Sequence, residues 1–494
     1  MGQRHMDRLT SFDTSFLANE KSNGHMAIGA VLVCEGEPPS HEEFLASIRS
    51  RLHLLPRLRQ RLAVPPLQLG RPFWVDYPDF DVHDHVRRTK LAAPGSEEQF
   101  REAVAETFAP PLDRSRPLWE LNLVEGIAGN RFAIVYKTHH ALADGISVVD
   151  IGVLLFDVEP VNEPVPEPAP WNPHTPPSRL GLVGRAFAGI GETAVRGVRW
   201  LLAGLRHPRR ARRRFSNGAI GLWEVTWNLF RPAPKVPLNV DISPHRCFYG
   251  TRGDLDEFKQ IKNVLGGTVN DVSLAVAAGA LRNWMLDRGL ATDGVELQAL
   301  VPVSVRAENQ HGELGNMLTA MRGPLPVGIG DPVGRLHRIT EAMDALKSSK
   351  QPLGAEAIWG LNDWFRDFAP PLLLGPTAAI NFSTRLFNLL VTNFPGPQVP
   401  FYVRGRELVE VYPVGFLAKR HALAIAIFSY NGSIGFGLLA DRESLGDLDR
   451  LGSYIEGAVE ELRAAAGIAS PNGNQLAGDS RPGIADGDGG LVRG

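Results

Sequence analysis

"RFAIVYKTHHALADGIS", residues 131–147, decides how this chain is read. Its first ten residues are rich in apolar, β-branched and aromatic side chains and predict a strand. Period two then places Phe132, Ile134, Tyr136, Thr138 and His140 on one face and Ala133, Val135, Lys137 and His139 on the other. On that reading only one imidazole looks into a given cleft. His140, last in the strand and first in the loop, is the better placed to meet a substrate. Asp144 and Gly145 follow a short turn and precede a helix, a position suited to an aspartate that locks the loop through a cap or an ion pair.

Histidine is the side chain whose ordinary pKa, roughly 6.5, suits proton transfer near neutrality. A metal site is the first alternative. Neighbouring histidines on opposite faces cannot share an ion, however, and no HExxH or cysteine cluster accompanies them, so no metal is expected here. A buried structural pair is the second alternative, and the two residues taken alone leave it open. A covalent route has little support: there is no GxSxG elbow, and neither Cys34 nor Cys247 sits in a reactive setting. A base without its own nucleophile fits direct transfer, in which an acceptor hydroxyl or amine is deprotonated and attacks an activated carbonyl.

Outward from the motif, helical and strand patterns interleave. Residues 27–35 predict a buried strand, 41–62 and 96–108 helices, and 118–126 a strand turning into 131–140. Residues 72–86 are aromatic and turn-rich, and 147–158 return to a helical period. The proline-rich "EPVNEPVPEPAPWNPHTPPS" predicts an extended crossover, followed by an amphipathic helix over 179–205 and a basic cluster. A long helix is expected within 266–290, a strand at 296–306, a hairpin around Asn431-Gly432, and a last helix at 446–465. The division is therefore an N-terminal half at 1–158, a crossover at 159–245, a C-terminal half at 246–466 and a disordered tail at 467–494. The fold class is layered α/β in two halves.

The 494 residues are 44% hydrophobic and 21% charged, which suits large cores and an enclosed cleft. A formal charge of −2 gives no overall reason to expect nucleic acid. Two cysteines make no disulfide framework, so a reducing, cytoplasmic setting is expected. The polar N-terminus lacks a signal peptide's apolar core, and no apolar run approaches roughly 18 residues. Any membrane contact is expected to be peripheral.

"HHALADG" matches the HHxxxDG signature of acyl-CoA-dependent acyltransferases and condensation domains. More narrowly, the chain resembles the bacterial wax ester synthase/diacylglycerol acyltransferase family. "LTSFDTSFL", "GHMAIGAV", "FDVHDHVRR", "PLDRSRPLWELNLVEG", "TVNDVSLA", "PVSVR", "GELGNM", "TNFPGP", "YPVGF" and "SYNGSIGFGLLAD" carry the likeness, in order, over residues 10–465. It implies two chloramphenicol-acetyltransferase-like α/β halves with a tunnel between them. It also implies His140 as general base, His139 in support, and Asp144 as a structural residue paired with an arginine, for which Arg306 is the candidate. No cofactor is implied, since acyl-CoA enters as a substrate. The acceptor is expected to be diacylglycerol or a long-chain alcohol. Another hydroxyl acceptor, or a catalytically silent lipid-surface protein, are the alternatives.

Other residues have two readings each. Pro117, Leu118 and Trp119 match the family's PLW element and suit either core packing beneath the catalytic loop or the lining of an acyl site. Asn270 and Asp271 match its ND element at a helix start. Asn270 suits donation to a thioester oxyanion or a helix cap, and Asp271 favours the helix's positive end. Phe394 stands where the family's NFPGP-type loop commonly has a smaller apolar residue. Arg206, Arg209, Arg210, Arg212, Arg213 and Arg214 form either a solvated helix end or a surface for an anionic membrane, a lipid droplet or coenzyme A phosphates.

Overall fold

A computed structural model of the chain describes residues 5–20, 23–68, 70–143, 148–162, 164–189, 191, 195, 232–304, 318–348 and 383–469. Two six-stranded sheets and one three-stranded sheet organise them. The N-terminal sheet is built around β2 (Ala27–Glu35), β6 (Trp119–Ile127) and β7 (Arg131–His139), with β5 (Val86–Lys90) at one edge. Its other edge comes from far along the chain. β13 (Arg406–Val414) pairs antiparallel with β2, and β12 (Tyr402–Val403) lies beyond it. The sequence halves 1–158 and 246–466 are thus interlocked by a strand of the second that completes the sheet of the first.

The second sheet runs β10 (Leu318–Leu325), β9 (Leu297–Ser304), β11 (Leu389–Pro395), β14 (Leu423–Tyr430), β15 (Ser433–Asp441) and β8 (Arg246–Asp254). The β14–β15 hairpin turns at Asn431 and Gly432, with φ of +43° and +79°. Two positive φ angles are what a type I′ turn needs, and Asn-Gly supplies them at least cost. Glycine has a second use in β15. A Cβ at Gly437 would lie 1.8 Å from the Pro413 carbonyl oxygen, and one at Gly435 would lie 2.1 Å from that of Val411. The bare backbone of β15 therefore rests directly on β13, so the strand that joins the first sheet also seats the second against it.

Helix starts follow local chemistry. Ser40 with Glu43, Ser96 with Gln99, and Thr268 with Asp271 each form a reciprocal capping box. These open α2 (His41–Arg51), α3 (Glu97–Phe108) and the helix Val269–Asp287. The expected helix over 41–62 is shorter: it ends at Arg51, a 3₁₀ turn at Leu52–Leu54 follows, Pro56 opens a second at Pro56–Arg59, and Gln60–Ala63 become strand β3. β3 pairs with β4 (Phe73–Asp76), itself a strand inside the turn-rich 72–86, and β1 (Met6–Arg8) pairs on β4's other side. Residues 164–178 run without helix or strand, as the prolines require, and 179–189 are helical.

The N-terminal sheet is buried on both faces. Phe132, Ile134 and Tyr136 pack with Trp119 and with Phe44, Leu45 and Ile48 of α2. Ala133 and Val135 enter the larger core shared with α3, the helix Val269–Asp287 and the hairpin. Among the described residues, no single helix is long and apolar enough to cross a membrane. Both cysteines are free. The basic cluster Arg206–Arg214, Asp144, Gly145 and Arg306 lie outside the described residues, as does the tail from residue 470.

Candidate active site

The strand ends one residue earlier than the sequence pattern implies. β7 stops at His139, and His140 opens the short helical turn α4 (His140–Ala143). Strand alternation therefore does not extend to His140. Both histidines meet the corner of the chain spanning residues 16–26. The His140 N–H donates to the Met26 carbonyl at 2.8 Å. Its ring stacks on Phe16, centroids 3.8 Å apart at 15°, and meets the edge of Phe416 at 5.6 Å. Phe16 comes from α1 (Ser11–Asn19) and Phe416 from just beyond β13, so both halves of the sequence wall the imidazole.

Those walls set its protonation. Burial, followed by the neighbouring His139, pushes the His140 pKa down from 6.5 to about 4. At neutral pH His140 is a neutral imidazole able to accept a proton.

His139 is fully buried and does different work. Its Nδ1 accepts the N–H of Ala141 at 3.0 Å, so in the neutral ring the proton sits on Nε2. Nε2 lies 3.3 Å from Oε2 of Glu20. The His139 ring thus reaches over His140 to grip the chain on its far side, with Glu20 beside its Nε2. Arg114 donates to the same Glu20 oxygen, with Nε at 3.1 Å. Burial alone would raise the Glu20 carboxyl, but the hydrogen bonds and charges of His139 and Arg114 outweigh it and hold the pKa at about 2. His25, whose Nδ1 is 3.9 Å from Glu20, is pushed down to about 4 by burial and then by the Arg246 charge.

Pro117, Leu118 and Trp119 hold the other side of β7. The Leu118 carbonyl accepts the His139 N–H at 3.0 Å and the Thr138 hydroxyl at 3.1 Å. The Trp119 indole donates to the Leu58 carbonyl at 2.7 Å and stacks on His85. These are contacts of a core beneath the histidine pair, the first of the two readings above. Asp271 is buried at the start of its helix, where Oδ2 accepts from the N–H and the hydroxyl of Thr268 at 2.9 and 2.8 Å. Its observed contacts are those of a cap. Asn270, one residue earlier, is partly exposed.

Sequence reasoning did not single out Phe16, Glu20 or Phe416. Phe16 and Phe416 sit within "LTSFDTSFL" and "YPVGF", quoted for the resemblance without roles for their rings. Glu20 lies just beyond "LTSFDTSFL", outside the segments quoted for the resemblance.

Two interlocked α/β layers, with a histidine pair where a buried strand turns into a helix, are the architecture of condensation-type acyltransferases. Comparison with known proteins narrows this. The model of the wax ester synthase/diacylglycerol acyltransferase catalytic domain matches residues 9–273, and that of the WS/DGAT C-terminal domain matches 314–463. A probable diacylglycerol O-acyltransferase of Mycobacterium tuberculosis, tgs1, is 32% identical over 463 residues, covering 93% of this chain and 96% of the relative. A second, tgs2, is 31% identical over 476 residues, covering 94% and 100%. Among solved structures, the wax ester synthase/diacylglycerol acyltransferase of Marinobacter aquaeolei VT8 superposes with a TM-score of 0.63 at 24% identity, covering 94% of this chain and 100% of that one. The starter condensation domain of rhizomide synthetase, solved with C8-CoA and Leu-SNAC, gives 0.51 at 13% identity, covering 94% and 95%. The chain belongs to the wax ester synthase/diacylglycerol acyltransferase family and is an acyltransferase.

Proposed function

We propose that this enzyme transfers an acyl group from acyl-CoA to the hydroxyl of a lipid alcohol, with His140 as general base. The acceptor is diacylglycerol, giving triacylglycerol, or a long-chain alcohol, giving a wax ester. The observation that carries the proposal is the His140 imidazole enclosed between Phe16 and Phe416, on a turn whose Ala141 N–H donates to His139 beside Glu20. The relatives' names supply the acceptor class, and the condensation domain solved with C8-CoA supports the donor.

His140 takes the hydroxyl proton as the oxygen attacks the thioester carbonyl carbon. The tetrahedral intermediate collapses, the C–S bond breaks, and the departing coenzyme A sulfur recovers the proton from the imidazolium. The steps balance with acyl-CoA as substrate and with no metal or bound cofactor taking part. Asn270, partly exposed at a helix N-terminus, is our candidate donor to the oxyanion. Asp144, with Gly145, is assigned a structural role in the motif, with Arg306 as the candidate ion-pair partner of Asp144. We place the enzyme in the cytoplasm, meeting an anionic membrane or lipid-droplet surface through Arg206–Arg214.

The test is a panel of labelled acyl-CoA with diacylglycerol, hexadecanol or no acceptor, run on the wild type and His140→Ala. Ester should form with one or both lipids, and His140→Ala should lose at least about 100-fold while keeping its unfolding midpoint. Full activity in His140→Ala refutes the base, and transfer to neither lipid refutes the acceptor class. Glutamine at the six arginines should reduce sedimentation with anionic vesicles.

A further inference from the structure

Away from the histidine pair, three distant segments bring two imidazoles to one buried carboxylate. Asp76 ends β4 and is 2% exposed. His5 precedes β1, and its Nδ1 lies 2.7 Å from Asp76 Oδ2. His174 comes from the proline-rich crossover. Its backbone N–H donates to the same oxygen at 3.0 Å, and its Nδ1 stands 4.0 Å from it. The two rings lie 3.6 Å apart, tilted by 37°. The ligand atoms of all three residues fall within 4.8 Å of one another. Gln60 holds the other carboxylate oxygen from β3 at 3.0 Å, which fixes the carboxylate's direction.

We propose that His5, Asp76 and His174 bind a divalent transition-metal ion of the zinc class, which clasps the crossover to the N-terminal half. Two imidazoles and a carboxylate are a donor set for such an ion, which leaves further positions to water. Bonds of about 2.0–2.1 Å at tetrahedral angles hold ligand atoms roughly 3.3 Å apart. The present separations, 2.7 and 4.0 Å, lie on either side of that value. His174 is the exposed member, with 66% of its side chain open, and gives an incoming ion access. Arg59 stacks over Trp171 of the crossover at 3.9 Å, and the Asp76 charge acts on its guanidinium. That cation lowers the affinity, which sets the expectation at the micromolar level rather than that of a closed structural zinc site.

The clasp has a structural consequence. Residues 164–178 make neither helix nor strand, so side-chain contacts must hold them to the sheet. An ion bound by His174 from this segment and by Asp76 from β4 ties them together, and His5 draws in the N-terminal strand. Binding is then coupled to how often the crossover lifts away.

The experiment uses the full chain without an affinity tag, stripped with EDTA and titrated with Zn²⁺, with Mg²⁺ as control. Bound metal is measured after dialysis. Limited proteolysis of the crossover and the thermal midpoint are followed in parallel. The expected result is one Zn²⁺ per chain that slows cleavage and raises the midpoint by a few degrees, with no effect of Mg²⁺. His174→Ala, which alters only an exposed side chain, and His5→Ala should each weaken binding at least tenfold and abolish the protection. Zinc stoichiometry unchanged in the His5→Ala/His174→Ala double variant, or no zinc bound by the wild type, overturns the proposal.

Discussion

Replacing Phe16 with alanine tests whether apolar walls keep His140 neutral. The Phe16 ring covers one face of the imidazole at 3.8 Å, while Phe416 offers only an edge at 5.6 Å. Burial is the main cause that brings His140 from 6.5 to about 4, a difference of 6.5 − 4 = 2.5 units. At about 1.36 kcal/mol per unit this is on the order of 3 kcal/mol of disfavoured charge. If the stacked face supplies about half, water admitted by Phe16→Ala raises the pKa by roughly 1 unit. The sign follows from the base's role: it works only deprotonated, so kcat/KM falls as pH drops through its pKa in the free enzyme. The wild type should hold a flat kcat/KM down to about pH 5 and lose it near pH 4, whereas Phe16→Ala should begin to lose it about one unit higher. Initial rates are taken after brief exposure to each pH, with an assay at neutral pH afterwards to separate titration from unfolding. A wild-type acid limb near pH 6.5, or one that Phe16→Ala leaves in place, refutes the reasoning.

His139→Ala should lower kcat by roughly 10- to 100-fold with little change in KM, because the grip on Ala141 is lost while His140 remains. His139→Asn should recover part of it, since an asparagine oxygen can accept the N–H two residues on, as the Nδ1 of His139 does. Gly437→Ala places a carbon 1.8 Å from the Pro413 oxygen and should cost at least about 1–3 kcal/mol in urea unfolding. His421 stacks on Phe387, and burial holds its pKa at about 4 although its ring nitrogens face two carbonyls. The unfolded chain therefore takes that proton first: stability is intact above about pH 6.5 and declines toward pH 4, by at most ~3 kcal/mol from this residue. Urea midpoints against pH should flatten across that window in His421→Gln.

Elements specified by local chemistry were legible in the sequence. Asn431-Gly432 marked the hairpin, Asn270 and Asp271 marked a helix start, although Thr268 rather than Asn270 caps it, and β2 followed from its apolar run. Elements fixed by distant partners were not. Gln60–Ala63 became a strand because β4 was there to pair with it, after a helix that had already ended at Arg51. β13 carries nothing in its own residues that says it will join β2, almost 400 positions earlier; the bare glycines of β15 that accommodate it mean little until the two strands are seen together. His140 was picked from its place in the strand, but its surroundings depend on the strand ending at His139, a difference of one residue. Glu20 drew no notice, since a lone acid after a short helix becomes a partner only when β7 arrives beside it.

A pKa near 4 makes His140 a weak base in the resting enzyme, which looks like a poor choice for deprotonating an alcohol. The proposed reaction resolves this. No free alkoxide has to form if the proton moves while the carbonyl is attacked, and the imidazolium then appears beside the oxyanion being made. A charge disfavoured by Phe16 and Phe416 when alone is stabilised when its counter-charge develops within the same apolar walls. In that proposed reaction the same walls favour a lipid hydroxyl over water and so protect the thioester from hydrolysis. His139 and Glu20 contribute by keeping the ring's backbone still as the charge comes and goes, and Glu20 remains ionised throughout, at a pKa of about 2. Lowered basicity and selectivity for a lipid acceptor are two consequences of a single aromatic enclosure, and a variant that opens it should raise the pKa and thioester hydrolysis together.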